Sequence, residues 1–226
     1  MDKFKRYGLY VVPDGAFFDA ASAWLGWNSA TGQAMAHPHV PDLPVSVADL
    51  TATPRKYGFH GTIKPPFVLA EGASVDGLHA AARAFCATRA PVSIPALEVR
   101  RLGGCVAIVP TEPSEALADL AAASVVALDT FRAPPSEAEL ARRRKAGLRD
   151  RQEALLAQWG YPYVMEEFRF HLTLTGRTDQ AEAVCAALAA HFAPVLPTPF
   201  VIDSLALMGE DADGMFHLVQ RYTLSG

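Results

Sequence analysis

Alternation of apolar and polar residues predicts the strands of this chain, because a half-buried β-strand turns successive side chains to opposite faces. Single strands are predicted at 7–12, 58–64 and 167–175. Two hairpins are predicted at 94–109 and 200–224, and each contains a turn signal at its centre. These signals are Gly103-Gly104 in the first hairpin and the acidic, glycine-ended stretch 210–214 in the second.

Apolar residues recur at three- and four-residue spacing between the strands, which predicts helices. The predicted helices cover 16–27, 74–89, 114–130, 136–159 and 179–192. Ser74 is a suitable N-cap for the second helix, and Ser136 with Glu139 has the spacing of a capping box. Residues 28–54 lack periodicity and are rich in Pro, Ser, Thr and Asp, so they are expected to form a mobile flap or a packed surface loop.

The order of these elements repeats within the chain. Each half has a strand containing Phe-His-x-Thr and an apolar residue, then a helix, then a hairpin, and His171 follows His60 by 111 residues. A duplicated βαββ unit predicts an α+β fold whose two lobes are related by a pseudo-twofold axis and face one cleft. We expect one bilobal domain over 1–226, with lobe motifs around 57–110 and 165–224 and a long helical insert around 114–160.

The repeated strands carry the candidate chemistry. Side chains at i and i+2 of a strand share a face, so His60 lies beside Thr62 and His171 beside Thr173. Two imidazoles that titrate near pH 6.5 suit attack at phosphorus, one as base and one as acid. Hydroxyl groups can hold the non-bridging oxygens, so no metal or cofactor is required. The simpler interpretation, two structural histidines duplicated with the fold, needs partners for both rings on one polar face.

Five further residues form the candidate substrate-binding set. Lys64 and Arg169 share the strand face of the histidines and are either phosphate ligands or cations at the rim of the cleft. Arg55 and Tyr57 lie on the irregular approach to the first motif. Tyr10, on the first strand, lines either the cleft or the core.

The sequences His-Gly-Thr-Ile at 60–63 and His-Leu-Thr-Leu at 171–174 resemble the two HxTx motifs of the 2H phosphoesterase superfamily. This superfamily includes RNA 2′,5′ ligases and cyclic nucleotide phosphodiesterases. The flanking sequences, 55–67 and 159–163 leading into 168–171, more narrowly resemble a bacterial branch associated with phosphonate metabolism. The resemblance extends over nearly the whole chain.

This resemblance implies a bilobal α+β fold with two antiparallel sheets flanking a central cleft. It also implies that the His and Thr residues of both motifs form the catalytic set, and that the substrate is a small phosphorylated molecule such as a cyclic ribose phosphate. The long charged helix predicted at 136–159 departs from the pattern, since a minimal member of the superfamily would not need it.

Together these features predict a metal-independent phosphodiesterase that opens or cleaves a small phosphate diester in phosphonate metabolism. Two alternatives remain: RNA-end processing, by 2′,3′-cyclic phosphate opening or 2′,5′ ligation, and a phosphate-binding regulatory module without turnover. The net charge of −4 disfavours sequence-blind binding to long RNA, although RNA ends need only local contacts. The basic run 142–145 is a solvated helix face, an RNA or polyphosphate contact, a lid or a contact with a partner subunit.

Composition indicates the expected setting of the protein. No apolar run approaches the roughly 18–20 residues of a membrane span, and the charged start lacks the pattern of a signal peptide. The three separated cysteines show neither a disulfide framework nor zinc spacing. We therefore expect a cytoplasmic protein without membrane contact, and the sequence leaves its oligomeric state open. His37 and His39 lack a neighbouring carboxylate or cysteine cluster, which favours a loop pair over a metal site.

Overall fold

The computed structural model describes residues 3–226. Its strands are β1 (Arg6–Val11), β2 (Trp27–Asn28), β3 (Gln33–Ala34), β4 (Gly61–Phe67), β5 (Val92–Ile94), β6 (Leu97–Leu102), β7 (Cys105–Pro110), β8 (Leu172–Thr173), β9 (Phe200–Ile202), β10 (Ser204–Glu210) and β11 (Phe216–Thr223). Its α-helices are α1 (Gly15–Leu25), α2 (Val47–Thr51), α3 (Val75–Ala87), α4 (Glu115–Ala127), α5 (Glu137–Arg144), α6 (Asp150–Trp159) and α7 (Ala181–Phe192). Short 3-10 helices lie at Arg55–Tyr57, Asp129–Phe131 and Met165–Glu167.

One antiparallel sheet of seven strands organises the molecule, in the order β11-β10-β1-β4-β8-β7-β6. The α+β class and its antiparallel strands are therefore confirmed. The strands on either side of the cleft join into one continuous sheet, since β4 pairs with β8 where Gly61 lies opposite Leu172. This pairing brings the two His-x-Thr segments side by side at the centre of the sheet.

In the sheet, the hairpin of each duplicated unit lies next to strands outside that unit. The unit β4-α3-β6-β7 corresponds to the unit β8-α7-β10-β11, and β5 and β9, which hold corresponding positions, pair with each other. The β6–β7 hairpin of the first unit pairs with β8 of the second. The β10–β11 hairpin of the second unit adjoins β1, which pairs with β4 of the first. Neither unit therefore completes its part of the sheet alone.

Capping serines explain where two helices begin, and a glycine divides a segment that was predicted as one helix. The hydroxyl of Ser74 accepts a hydrogen bond from the Gly77 amide at the start of α3, and Ser136 caps α5 in the same way. The prediction of a single helix over 136–159 is wrong, because α5 ends at Arg144 and α6 begins at Asp150. Gly147 between them has φ of +71°, a left-handed conformation that interrupts helical geometry.

The strand predicted at 167–175 is also shorter than its alternation suggests. Phe170, Leu172 and Leu174 are buried as the pattern predicts, but only two residues form β8. The amides of Leu174 and Thr175 both donate to the Val106 carbonyl, which ends the regular ladder. Burial periodicity thus continues beyond the strand hydrogen bonds.

The segment 28–54 is packed rather than open. It contains the short β2–β3 pair and α2, and it buries Val40 and Leu50. No helix among residues 3–226 is both long enough and apolar enough to cross a membrane.

Candidate active site

The β4–β8 pair assembles the four predicted catalytic residues. With Gly61 opposite Leu172, the antiparallel register places His60 opposite Thr173 and Thr62 opposite His171. Directly opposed residues of such a pair have Cβ atoms about 4.5–5.5 Å apart. This register sets each histidine across from the threonine of the other motif, and His171 lies close enough to lower the pKa of His60.

Gly61 allows the opposite face of this strand pair to pack. A Cβ at this position would overlap the ring of Phe170, which is buried. Leu172, the partner of Gly61, is fully buried on the same side. The packing of Phe170 against the strand pair thus requires glycine at position 61.

Backbone carbonyls fix the tautomer of both imidazoles. Nδ1 of His60 lies 3.0 Å from the carbonyl oxygen of Gly58, and Nδ1 of His171 lies 2.8 Å from that of Arg169. Because a carbonyl oxygen only accepts, we assign the proton of each neutral ring to Nδ1, which donates it. Nε2 is then the reactive nitrogen of each ring, an acceptor when the ring is neutral and a donor when it is protonated.

Gly58 makes the first of these contacts possible. It ends the 3-10 helix Arg55–Tyr57 with φ of 69°, where a Cβ would lie 2.8 Å from that of Ser29. This left-handed backbone favours glycine and directs the carbonyl towards His60.

Burial lowers the pKa of the His60 imidazole. The pKa of His60 is lowered to about 4, mainly because its enclosed ring would lose hydration when charged, and the nearby His171 lowers it further. Tyr10 meets the ring edge-on with centroids 4.6 Å apart, and Tyr57 lies 6.2 Å away. His60 is therefore neutral near pH 7 in the unliganded protein, and its Nε2 can accept a proton.

This shift predicts a pH-dependent stability. An unfolded histidine titrates near 6.5, so between pH 6.5 and about 4 the unfolded chain takes up a proton that folded His60 does not. This difference leaves the free energy of unfolding unchanged above pH 6.5 and lowers it by about 3 kcal/mol as the pH falls from 6.5 to about 4. Urea unfolding from pH 7 to pH 4 should show a flatter profile for His60→Gln than for the wild type. Parallel profiles would contradict the burial of a neutral ring.

A cavity of about 610 Å³ lies against this strand face and suits a small ligand. Its wall includes His60, Thr62 and Thr173, together with Tyr10 and Tyr57. The structure therefore brings five of the nine predicted site residues into one cavity, and their roles stay predictions.

His171 lies at the border of this arrangement. It is exposed and, with Arg169, lines a second depression of about 670 Å³. Arg169 donates through Nη1 to the carbonyl oxygens of Glu166 and Phe168, which directs its guanidinium away from the first cavity. Arg169 is thus a neighbour of His171 and does not line the cavity that holds His60.

Lys64 is buried in the interior and does not line the cavity, contrary to its predicted position on the substrate-binding face. Its side chain is 2% exposed, donates to the Val125 carbonyl at 2.9 Å and pairs with Asp129 at 3.5 Å. The alternation of faces along β4 is broken by a β-bulge. Leu9 and Tyr10 are consecutive in β1 but pair with Lys64 and Thr62, which leaves Ile63 as the extra residue. Ile63 and Lys64 are both buried, and the strict alternation of the strand is lost between the histidine motif and the lysine.

Arg55 is likewise a structural residue. It donates to the Leu25 carbonyl and to the Thr51 hydroxyl, and it contacts Nε2 of His37. These contacts attach the segment 28–54 to the end of α1, and Arg55 does not line the cavity. Nδ1 of His37 also lies within hydrogen-bond distance of the Trp24 carbonyl, so both ring nitrogens contact residues that hold this loop in place. No group of three or more potential metal ligands lies together among residues 3–226.

Four arginines outside the predicted substrate-binding set line the cavity: Arg6, Arg142, Arg143 and Arg177. Arg6 could have been found from the sequence, because it shares the i, i+4 strand face of Tyr10. The arginines of the basic run on α5 differ in their contacts. Arg142 and Arg143 line the cavity, whereas Arg144 pairs with Glu153. Only a tertiary contact between α5 and the sheet face could reveal this division.

Comparison with known proteins places the chain in a family. The family model described as "Protein of unknown function (DUF1045)" matches residues 62–217. Two curated relatives carry the name ribose 1,5-bisphosphate phosphokinase PhnN. The relative from Janthinobacterium sp. (strain Marseille) is 39% identical over 235 residues, covering 100% of this chain and 52% of the relative. The relative from Laribacter hongkongensis (strain HLHK9) is 36% identical over 213 residues, covering 92% of this chain and 49% of the relative.

The chain therefore spans about half the length of these curated relatives. Among solved structures, E. coli LigT in apo form aligns over 100% of both chains with 14% identity and a TM-score of 0.45. The family match covers most of the chain, from the first threonine of the site to the last strand. The chain belongs to the family described as a protein of unknown function, DUF1045.

Proposed function

We propose that the chain is a phosphoesterase that hydrolyses a small phosphate diester by acid–base catalysis between two histidines, without a metal ion. The observation that carries this proposal is the β4–β8 pair, whose register sets the two His-x-Thr segments side by side. In both rings a backbone carbonyl holds Nδ1, so two Nε2 atoms remain available for substrate. Two imidazoles with the same free nitrogen are the groups that in-line displacement at phosphorus requires.

In the proposed reaction, neutral His60 acts as the base. Its Nε2 accepts a proton from a water molecule, whose oxygen attacks phosphorus. The ester P–O bond on the opposite side breaks, and protonated His171 donates its Nε2 proton to the departing oxygen. The products are a phosphate monoester and a hydroxyl group, and exchange with solvent returns the two rings to their starting states. The lowered pKa of His60 supports this direction of proton flow.

The threonines and an arginine would stabilise the transition state. The hydroxyls of Thr62 and Thr173 donate to the non-bridging oxygens, where negative charge accumulates. Arg177 lines the cavity and has no ion-pair partner among residues 3–226, so its charge is available to a phosphate.

The proposed substrate is a small phosphorylated sugar diester, such as a cyclic ribose phosphate, used in phosphonate metabolism. The curated relatives are named for a reaction on ribose 1,5-bisphosphate, and this chain matches about half of each. A cavity of about 610 Å³ accommodates a molecule of that size. A reducing, cytoplasmic setting is part of the same proposal and agrees with three unpaired cysteines.

The test is an assay of the purified chain on 2′,3′-cyclic nucleotides, ribose 1,2-cyclic phosphate 5-phosphate and 2′,5′-linked RNA oligomers. We expect hydrolysis of a cyclic phosphate to a monoester, with a bell-shaped pH profile and the same rate in EDTA. Turnover confined to RNA would instead favour RNA-end processing, with a steep salt dependence. Binding without turnover of any compound would favour a regulatory module, and loss of activity in EDTA would contradict metal independence.

A further inference from the structure

The cavity extends along β1 beyond the histidines. Arg6, Gly8 and Tyr10 occupy alternate positions of a strand that pairs regularly with β10, so they share one face. Tyr10 is paired with Thr62, whereas Arg6 lies four residues, or roughly 13 Å, further along the strand. Arg6 and Tyr10 both line the cavity, which therefore has two ends, one at the His and Thr residues and one at Arg6.

The Tyr10 hydroxyl points towards the second end and has no partner. A Cβ at Gly8 would lie 2.6 Å from this oxygen, so the ring extends over Gly8 in the direction of Arg6. The side chain is 1% exposed, and its hydroxyl makes no hydrogen bond within the described structure. Burial raises the pKa of Tyr10, and the group therefore keeps a proton that it can donate. A buried hydroxyl without a protein partner has a hydrogen bond still to make, here towards the cavity that Tyr10 lines.

Cations from the insert line the same cavity, and the Glu139 carboxylate beside them lies near enough to Arg6 to raise its pKa. Arg143 lies over the ring of Tyr161 at 4.5 Å, and its buried Nε has no hydrogen-bond partner. Arg142 and Arg143 share one carboxylate, that of Glu139, at 3.2 and 3.4 Å.

The charges at this end do not balance. Arg6 is held by both oxygens of Glu210. The three guanidinium groups of Arg6, Arg142 and Arg143 thus face two carboxylates, which leaves one excess positive charge.

We propose that this end of the cavity binds a second phosphate group of the substrate, a monoester held by Arg142, Arg143 and the Tyr10 hydroxyl. The inference deepens the proposed function, since it assigns the substrate two phosphates: a diester at the histidines and a monoester at the insert. Guanidinium groups form paired hydrogen bonds with phosphate oxygens, and the insert helix α5 supplies two of them. The monoester phosphate therefore selects the substrate without taking part in bond breaking.

The kinetic test compares adenosine 2′,3′-cyclic phosphate with the same compound carrying a 5′-phosphate. For the double variant Arg142→Ala/Arg143→Ala, we expect KM for the 5′-phosphorylated compound to rise about tenfold or more, with kcat within about twofold. The KM for the unphosphorylated compound should change much less, so the readout is the ratio of the two KM values. Tyr10→Phe should shift the KM of the phosphorylated compound in the same direction by a smaller factor. The matched control is Arg144→Ala on the same helix, whose side chain pairs with Glu153 outside the cavity.

A binding measurement separates this inference from the proposed reaction. Calorimetry with ribose 5-phosphate, which contains no diester, should show an affinity that falls about tenfold in the double variant and is unchanged in Arg144→Ala. If no diester is hydrolysed but this loss is observed, the proposed reaction fails and the phosphate subsite stands. If diesters are hydrolysed but Arg142→Ala/Arg143→Ala and Tyr10→Phe alter neither KM nor binding, the subsite is overturned.

Discussion

Replacing either His60 or His171 with alanine should lower kcat on a cyclic phosphate by about 10²–10⁴-fold. In the proposed reaction each ring supplies one of the two proton transfers through Nε2, and among residues 3–226 no other histidine lines the cavity of His60 or the depression of His171. The measurement is steady-state kinetics, with urea unfolding to show that each variant folds. His39→Ala is the control, since His39 is exposed and lies outside the cavity.

The double variant gives a second criterion for this pair. If the two histidines act in one displacement, removing both should cost much less than the product of the single losses, because groups that act as a unit are not additive. Near-wild-type turnover in either single variant would reject two-histidine catalysis. Multiplicative losses would indicate that the two rings act in separate steps.

Substituting valine for Thr62 or Thr173 should lower kcat by about 10²-fold, the second-largest expected effect. Valine keeps the volume and the branched Cβ but removes the hydroxyl that donates to a non-bridging oxygen. The corresponding serine variants keep the donor and should retain most of the activity. Kinetics on one cyclic phosphate, for all four variants, separates the hydroxyl from the methyl group.

The threonines differ from the histidines in their expected pH behaviour. The valine variants should keep the wild-type pH profile at a lower rate, because neither proton-transfer group has been removed. A serine variant as slow as its valine counterpart would show that packing, rather than hydrogen bonding, explains the loss.

The sequence predicted the central strand pair because its signal is duplicated. Phe-His-x-Thr occurs in both halves, each time before a helix and a hairpin, and the structure places the two copies next to each other. The tautomers were not predictable in the same way. They depend on the carbonyls of Gly58 and Arg169, whose directions follow from backbone angles that no side-chain pattern encodes.

The substrate-binding set was predicted less well, for two physical reasons. Strand parity assumes an unbroken ladder, and the bulge at Ile63 turned Lys64 into the interior, where Asp129 pairs with it. The arginines of α5 come from an insert whose docking onto the cavity is a tertiary contact. Local charge alone does not distinguish Arg143, which lies over Tyr161, from Arg144, which pairs with solvent-exposed Glu153.

The most direct measurement is a crystal structure of the protein with orthovanadate or inorganic phosphate bound. We expect one anion at the β4–β8 pair, with Nε2 of both His60 and His171 and the hydroxyls of both Thr62 and Thr173 within hydrogen-bond distance. An anion that contacts only one imidazole, or two anions held separately by the two rings, would contradict this expectation.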